Sequence, residues 1–146
     1  MAFSLLPDGV YSNVCSIDPQ ALADAGITLV LADLDNTLAK YGQAQPEPAV
    51  RAWRDALEGA GITLFLLSNS RKPGRAARFA QALDIPYLGH AGKPGRKGFE
   101  AAMAQMGANP AHTAMVGDQI FTDILGARRC GMRALLVEPI ELAGNP

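Results

Sequence analysis

Residues 29–38 read Leu29-Val30-Leu31-Ala32-Asp33-Leu34-Asp35-Asn36-Thr37-Leu38. An apolar run leads directly into two acids one residue apart. The run has the character of a buried strand, and an ionised carboxylate there costs several kcal/mol unless it is paired or bound to a metal. Side chains alternate along a strand, so Asp33 and Asp35 face one side and Leu34 the other. Two adjacent carboxylates repel, and a cation between them relieves the repulsion. The pair suits metal-assisted chemistry in which one acid is a nucleophile and the other carries a proton.

Outward from this stretch, apolar runs alternate with helical patterns. Asp18-Pro19 supplies an N-cap with proline at the first helical position, and Gly26 stops that helix before a strand at 27–32. A helix is expected at 47–58, with Val50, Trp53, Ala56 and Leu57 at core-facing spacing and Gly61 as its stop. Further strands are expected at 62–67, 86–88, 113–116 and 133–137. Helices are expected at 74–83, from Lys93-Pro94 to near Gly107, and in a segment ending at Gly131. Near-continuous apolar strands alternating with helices predict an α/β fold, a three-layer Rossmann-like parallel sheet covered on both faces.

The chain has 146 residues, 49% hydrophobic and 18% charged, the balance of a globular protein with a substantial core. No apolar run approaches the ~20 residues of a membrane span. The start, Met1 to Asp8, lacks the basic region and apolar core of a leader. Cys15 and Cys130 lie far apart without a CxxC and read as reduced packing residues of a cytoplasmic protein. The formal charge of −1 hides an asymmetry. Between Asn69 and Phe99 stand Arg71, Lys72, Arg75, Arg78, Lys93, Arg96 and Lys97, against the single acid Asp84. This is either a solvated basic face or a field that draws in an anionic ligand or surface.

In such a sheet, ligands bind beyond the carboxyl ends of the strands. Polar residues stand at those ends repeatedly: Asp33 and Asp35, then Ser68-Asn69-Ser70, then Lys93, then Gly117-Asp118 with Asp123. Four acids, a hydroxyl and an ammonium on one rim suit a phosphoryl group. A hard cation such as Mg²⁺ takes oxygen ligands, which Asp33 and Asp118 offer. A carboxylate nucleophile accepts a phosphoryl group, Ser68 with neighbouring N–H groups binds its oxygens, and Lys93 balances charge in the transition state. Lys72 is the rival for that lysine. His90 and His112 lie outside any zinc-ligand spacing.

These four segments, in this order, resemble the four motifs of the haloacid dehalogenase superfamily of phosphatases, over residues 27–137. The pattern DxDx[T/V], a strand-end Ser or Thr, a Lys and a paired-acid motif matches Asp33-Leu34-Asp35-Asn36-Thr37, Ser68, Lys93, and Gly117-Asp118 with Asp123. Leu5-Leu6-Pro7, Ser68-Asn69, Lys93-Pro94, Gly117-Asp118-Gln119-Ile120-Phe121-Thr122-Asp123 and Val137-Glu138-Pro139-Ile140 are similar to the YqeG-type, class IIIA branch, related to phosphatidylglycerophosphate phosphatases. Ser70 stands where those relatives often carry a second Asn. The length leads one to expect a single domain over 1–146, with 1–26 as an N-terminal extension packing on it. By the resemblance that domain is a hydrolase. The resemblance makes Asp33 the nucleophile and Asp35 the proton carrier, with Ser68, Asn69 and Lys93 on the phosphate. Mg²⁺ would be held by Asp33, Asp118, Asp123 and the main-chain carbonyl of Asp35.

Neither the interval from Asp35 to Ser68 nor that from Ser70 to Lys93 has room for an inserted cap, so the fold is expected to be capless with an open site. Such a site reaches a phosphate presented on something large. The expectation is therefore a Mg²⁺-dependent phosphomonoesterase acting on a phosphorylated substrate, with phosphatidylglycerophosphate at a membrane surface as the first candidate. The protein would be cytoplasmic and peripheral at the membrane, with no nucleic-acid partner. One alternative is a capless phosphatase for a soluble sugar or nucleotide phosphate, closed by a neighbouring subunit. The other is a phospho-receiver domain, disfavoured because its acceptor Asp would end the middle strand that here ends in Ser68-Asn69.

Overall fold

The computed structural model describes residues 5–141. The leader-free reading of Met1 to Ser4 therefore lies outside the described residues. Six parallel strands form one sheet: β1 (Gly9–Tyr11), β2 (Leu29–Ala32), β3 (Thr63–Leu67), β4 (Tyr87–Leu88), β5 (Thr113–Gly117) and β6 (Arg133–Val137), in the order β1-β6-β5-β2-β3-β4. The connections contain α1 (Pro19–Asp24), α2 (Pro48–Gly59), α3 (Arg75–Leu83), α4 (Arg96–Met106) and α5 (Leu125–Arg129).

The period of two sorts the strand side chains into two cores. Val30 and Ala32 of β2, with Leu64 and Leu66 of β3, pack with Trp53 of α2 and Phe79 of α3. Leu29 and Leu31, with Phe65 and Leu67, pack on the other face with Phe99 of α4 and Ala127 of α5. Burial on both faces explains why β2, β3 and β5 read as continuous apolar runs. The buried Trp53 indole is satisfied, donating from Nε1 to Ile17 O at 3.0 Å.

Several boundaries and placements differ from the sequence reading. Ala56 is exposed, one position outside the stripe of α2 that buries Val50, Trp53 and Leu57. The helix expected to open at Lys93-Pro94 begins at Arg96, leaving Lys93 in the preceding turn. Cys15 is exposed, so it is no packing residue; both cysteines are free thiols. β1 was not anticipated from the sequence, where residues 1–26 read as an N-terminal extension packing on the domain. It instead extends the sheet at its edge, fixed by Asp8, whose N–H donates to Ala134 O at 2.7 Å and whose carboxylate accepts from Ala134 N at 2.8 Å. Three residues with an exposed Val10 carry too little alternation to read as a strand.

The interval between Asp35 and β3 contains a loop and α2, and that between Ser70 and Lys93 contains α3 and β4. No cap domain is inserted in either. Among the described residues no helix is long and apolar enough to cross a membrane.

Candidate active site

The central strands β2, β3 and β5 all run toward one edge, and the loops leaving that edge build the site. Beyond β2, Leu34 is buried in the core while Asp33 and Asp35 line a cavity of about 600 Å³. The turn that follows folds onto Leu34 O, which accepts from Thr37 N at 3.2 Å and Leu38 N at 3.0 Å. Asn36 takes φ 65° there, a left-handed conformation that Asn tolerates better than most residues. Beyond β3, Ser68 is buried, and its Oγ accepts from Ser70 N at 3.0 Å. Ser68, Asn69, Ser70, Tyr41, Gln119 and Thr122 line the same cavity.

Lys93 joins these loops. It is almost wholly buried, and Nζ donates to Asp123 Oδ1 at 2.8 Å, Leu67 O at 2.9 Å and Asp33 Oδ1 at 3.0 Å. All three ammonium protons are used. Asn69 fixes the turn that carries it: Lys93 N donates to Asn69 Oδ1 at 2.9 Å, and Asn69 Nδ2 donates to Lys93 O at 3.1 Å. The rival Lys72 is exposed, its ammonium 4.7 Å from the centre of the Tyr41 ring.

Asp33, Asp118 and Asp123 each offer a carboxylate oxygen within 4.8 Å of the others. Three carboxylates around one ammonium leave the cluster short of positive charge. Burial, and then the charge of Asp33, raises the Asp118 carboxyl above its ordinary range against the Thr37 hydroxyl and Lys93. Burial pushes Asp123 up to about 6, with Lys93 opposing and Asp33 adding to the rise. Burial alone would lower the Lys93 ammonium, but Asp123 and Asp33 reverse this and hold it above its usual value. An all-carboxylate set with unmet charge fits a hard divalent cation.

Asp35 stands apart from this trio. Its Oδ1 accepts from Arg75 Nη2 at 2.5 Å, while Arg75 Nη1 donates to Gln43 O at 2.7 Å. The Asp35 carboxylate is thus directed at Arg75 and away from the trio of acids.

Three contacts of the site were not legible in the sequence. Arg75 read as one base among seven, in a solvated face or in a field for an anion, yet it is buried at the start of α3. Thr37 closes the DxDx[T/V] motif, and its Oγ1 donates to Asp118 Oδ1 at 3.2 Å. Gly117 read as a motif glycine, and a Cβ there would lie 2.1 Å from Asp123 Oδ2. Gly117→Ala is accordingly expected to displace Asp123 and cost about 1–3 kcal/mol, measured as a lower urea midpoint at unchanged m.

A family model described as HAD-hydrolase-like matches residues 90–139. The chain is 32% identical to "Probable phosphatase YqeG" of Bacillus subtilis, over 92% of this chain and 78% of that protein. It is 33% identical to the chloroplastic phosphatidylglycerophosphate phosphatase 1 of Chlamydomonas reinhardtii, over 97% of this chain. There it spans about half of the relative, 55% of its length. Its fold is similar to that of the cobalt-bound deoxy-D-mannose-octulosonate 8-phosphate phosphatase of Haemophilus influenzae, with a TM-score of 0.61 and 22% identity over 84% of this chain and 76% of that one.

Proposed function

Because this chain belongs to the haloacid dehalogenase superfamily of phosphatases, we propose that it hydrolyses phosphomonoesters by transferring the phosphoryl group to Asp33. The observation that carries this reading is the buried Lys93 bridging Asp33 and Asp123 beside Ser68. A phosphate seated against Ser68 would meet Asp33 on one side and have its charge balanced by Lys93. Asp33 attacks phosphorus, and the bond to the leaving oxygen breaks. Asp35 gives that oxygen a proton, then takes one from the water that hydrolyses the aspartyl phosphate. Arg75 holds Asp35 in place for both transfers. Asn69 holds the Lys93 turn and keeps one amide N–H for a phosphate oxygen. Asp33, Asp118, Asp123 and the Asp35 carbonyl would hold Mg²⁺, which when bound neutralises the acids and the phosphate.

A lipid phosphomonoester, with phosphatidylglycerophosphate first, is the proposed substrate. Three observations support it: the absent cap, a relative named for that activity, and a cavity lined by the exposed Tyr41 with the Lys72 ammonium 4.7 Å from its ring centre. Aromatic side chains beside basic ones suit the interface of an anionic bilayer. The protein would then work from the cytoplasm at the membrane surface.

Purified protein with Mg²⁺ is expected to release phosphate from p-nitrophenyl phosphate and from phosphatidylglycerophosphate in vesicles. Chelation should abolish both activities, and Mg²⁺ without substrate should raise the melting temperature. Hydrolysis of p-nitrophenyl phosphate with the lipid left intact would remove the lipid assignment and keep the phosphatase.

A further inference from the structure

The basic segment after β3 divides into cations with partners and cations without. Lys93 is spent on Asp33 and Asp123, and Arg75 on Asp35 and Gln43 O. Lys72 leans on Tyr41, and Arg78 donates to Pro73 O at 3.2 Å. Among the described residues Arg71, Arg96, Lys97 and His90 have no side-chain hydrogen-bond or ion-pair partner, and all four are exposed; of these, Arg71 and His90 share one hollow.

These two side chains line a separate hollow of about 420 Å³, completed by Asn69, Gly92 and Lys93. Among the described residues no carboxylate lines it. It adjoins the cavity of Asp33 and shares Asn69, Arg71 and Lys93 with it. His90 has φ 52° and Gly92 φ 70°, and nothing lies within 4 Å of where a Gly92 Cβ would stand. A guanidinium fork and an imidazole therefore flank an open concavity one step from the scissile position. A second hollow lies on the other side, at Lys72, Arg75 and Arg78, but each of its cations already has a partner within the chain.

We propose that the hollow at Arg71, His90 and Gly92 binds a second anionic group of the substrate, a phosphate joined to the scissile phosphomonoester by a linker of a few atoms. Arginine binds phosphate through two parallel N–H donors, and a concave basic surface concentrates its field on an anion. The inference rests on the phosphatase reading of the adjoining cavity. The second phosphate has two sources, the diester of a glycerophospholipid or a soluble bis-phosphate, and the experiment separates them.

The Mg²⁺-loaded protein is assayed on p-nitrophenyl phosphate, glycerol 3-phosphate, the deacylated headgroup glycerophosphoglycerol phosphate, and phosphatidylglycerophosphate vesicles. The deacylated headgroup should exceed glycerol 3-phosphate in kcat/KM by about 10–100-fold, the range of one charge-assisted contact. Arg71→Ala should collapse that ratio toward one, Arg71→Lys should keep part of it, and His90→Ala should lower it independently. A higher value on vesicles than on the headgroup identifies the lipid as the source; equal values identify the soluble form. A ratio near one in the wild type, or one unchanged in Arg71→Ala and His90→Ala, overturns the subsite. Absence of hydrolysis on all four, p-nitrophenyl phosphate included, overturns the phosphatase reading and the subsite with it.

Discussion

Asp33→Asn is expected to lose at least about 10⁴ in kcat while melting at or above the wild-type temperature. The amide has the shape of the carboxylate but cannot attack phosphorus, so no phosphoryl-enzyme forms. Stability should hold because the substitution removes one of three carboxylates crowded within 4.8 Å. Lys93 keeps Asp123 Oδ1 and Leu67 O as acceptors. Phosphate release and calorimetry on the same sample check both halves. Retention of more than about a hundredth of the wild-type kcat would exclude Asp33 as the phosphoryl acceptor. A large drop in melting temperature would show that Asp33 serves the fold rather than the chemistry.

Lys93→Met should abolish turnover and destabilise the fold by about 3–5 kcal/mol at pH 8, the cost of leaving a buried partner uncompensated. The deficit should depend on pH, with a definite sign. Asp123 titrates at about 6 in the folded protein, against roughly 3.9 for an unfolded aspartate. A carboxyl raised on folding costs nothing while both states are protonated. As pH climbs through 4 to 6 the unfolded chain releases its proton first, and stability falls. Lys93 is the charge that restrains this rise, so its removal carries the folded value higher and extends the loss upward in pH. Urea unfolding in chelator should therefore give a small deficit near pH 4 and the full one near pH 8. Lys93→Met with Asp123→Asn should recover much of it. An equal deficit at both pH values would assign the loss to packing instead of charge.

The parts of the site visible in the sequence are those at strand ends. Asp33, Ser68 and Asp118 each follow an apolar run whose length marks it as a buried strand, so their place on one rim follows from parallel topology. Lys93 was harder to locate because the strand before it, β4, has two residues. Its identity as the bridging lysine comes from the depth of its burial. Arg75 was misread for a general reason: a base at the start of an exposed-looking helix gives no local sign that its fork reaches back to a residue forty positions earlier. Asp123 was named from its motif, but its pairing with Lys93 was not legible. Five residues of π-helical turn after Gln119 rotate it inward onto Lys93, and no local propensity specifies that turn.

The sequence by itself determined the fold class, the absence of a cap, and the order in which acids, hydroxyl and lysine arrive at the sheet edge. These depend on hydrophobic periodicity and chain length, which are local properties. Only the tertiary structure decided which charges meet. It set Lys93 between Asp33 and Asp123, turned Asp35 to Arg75, and left Arg71 and His90 without hydrogen-bond or ion-pair partners among the described residues. Such pairings arise where separate loops converge in a low-dielectric interior, where an unpaired charge is too costly to leave.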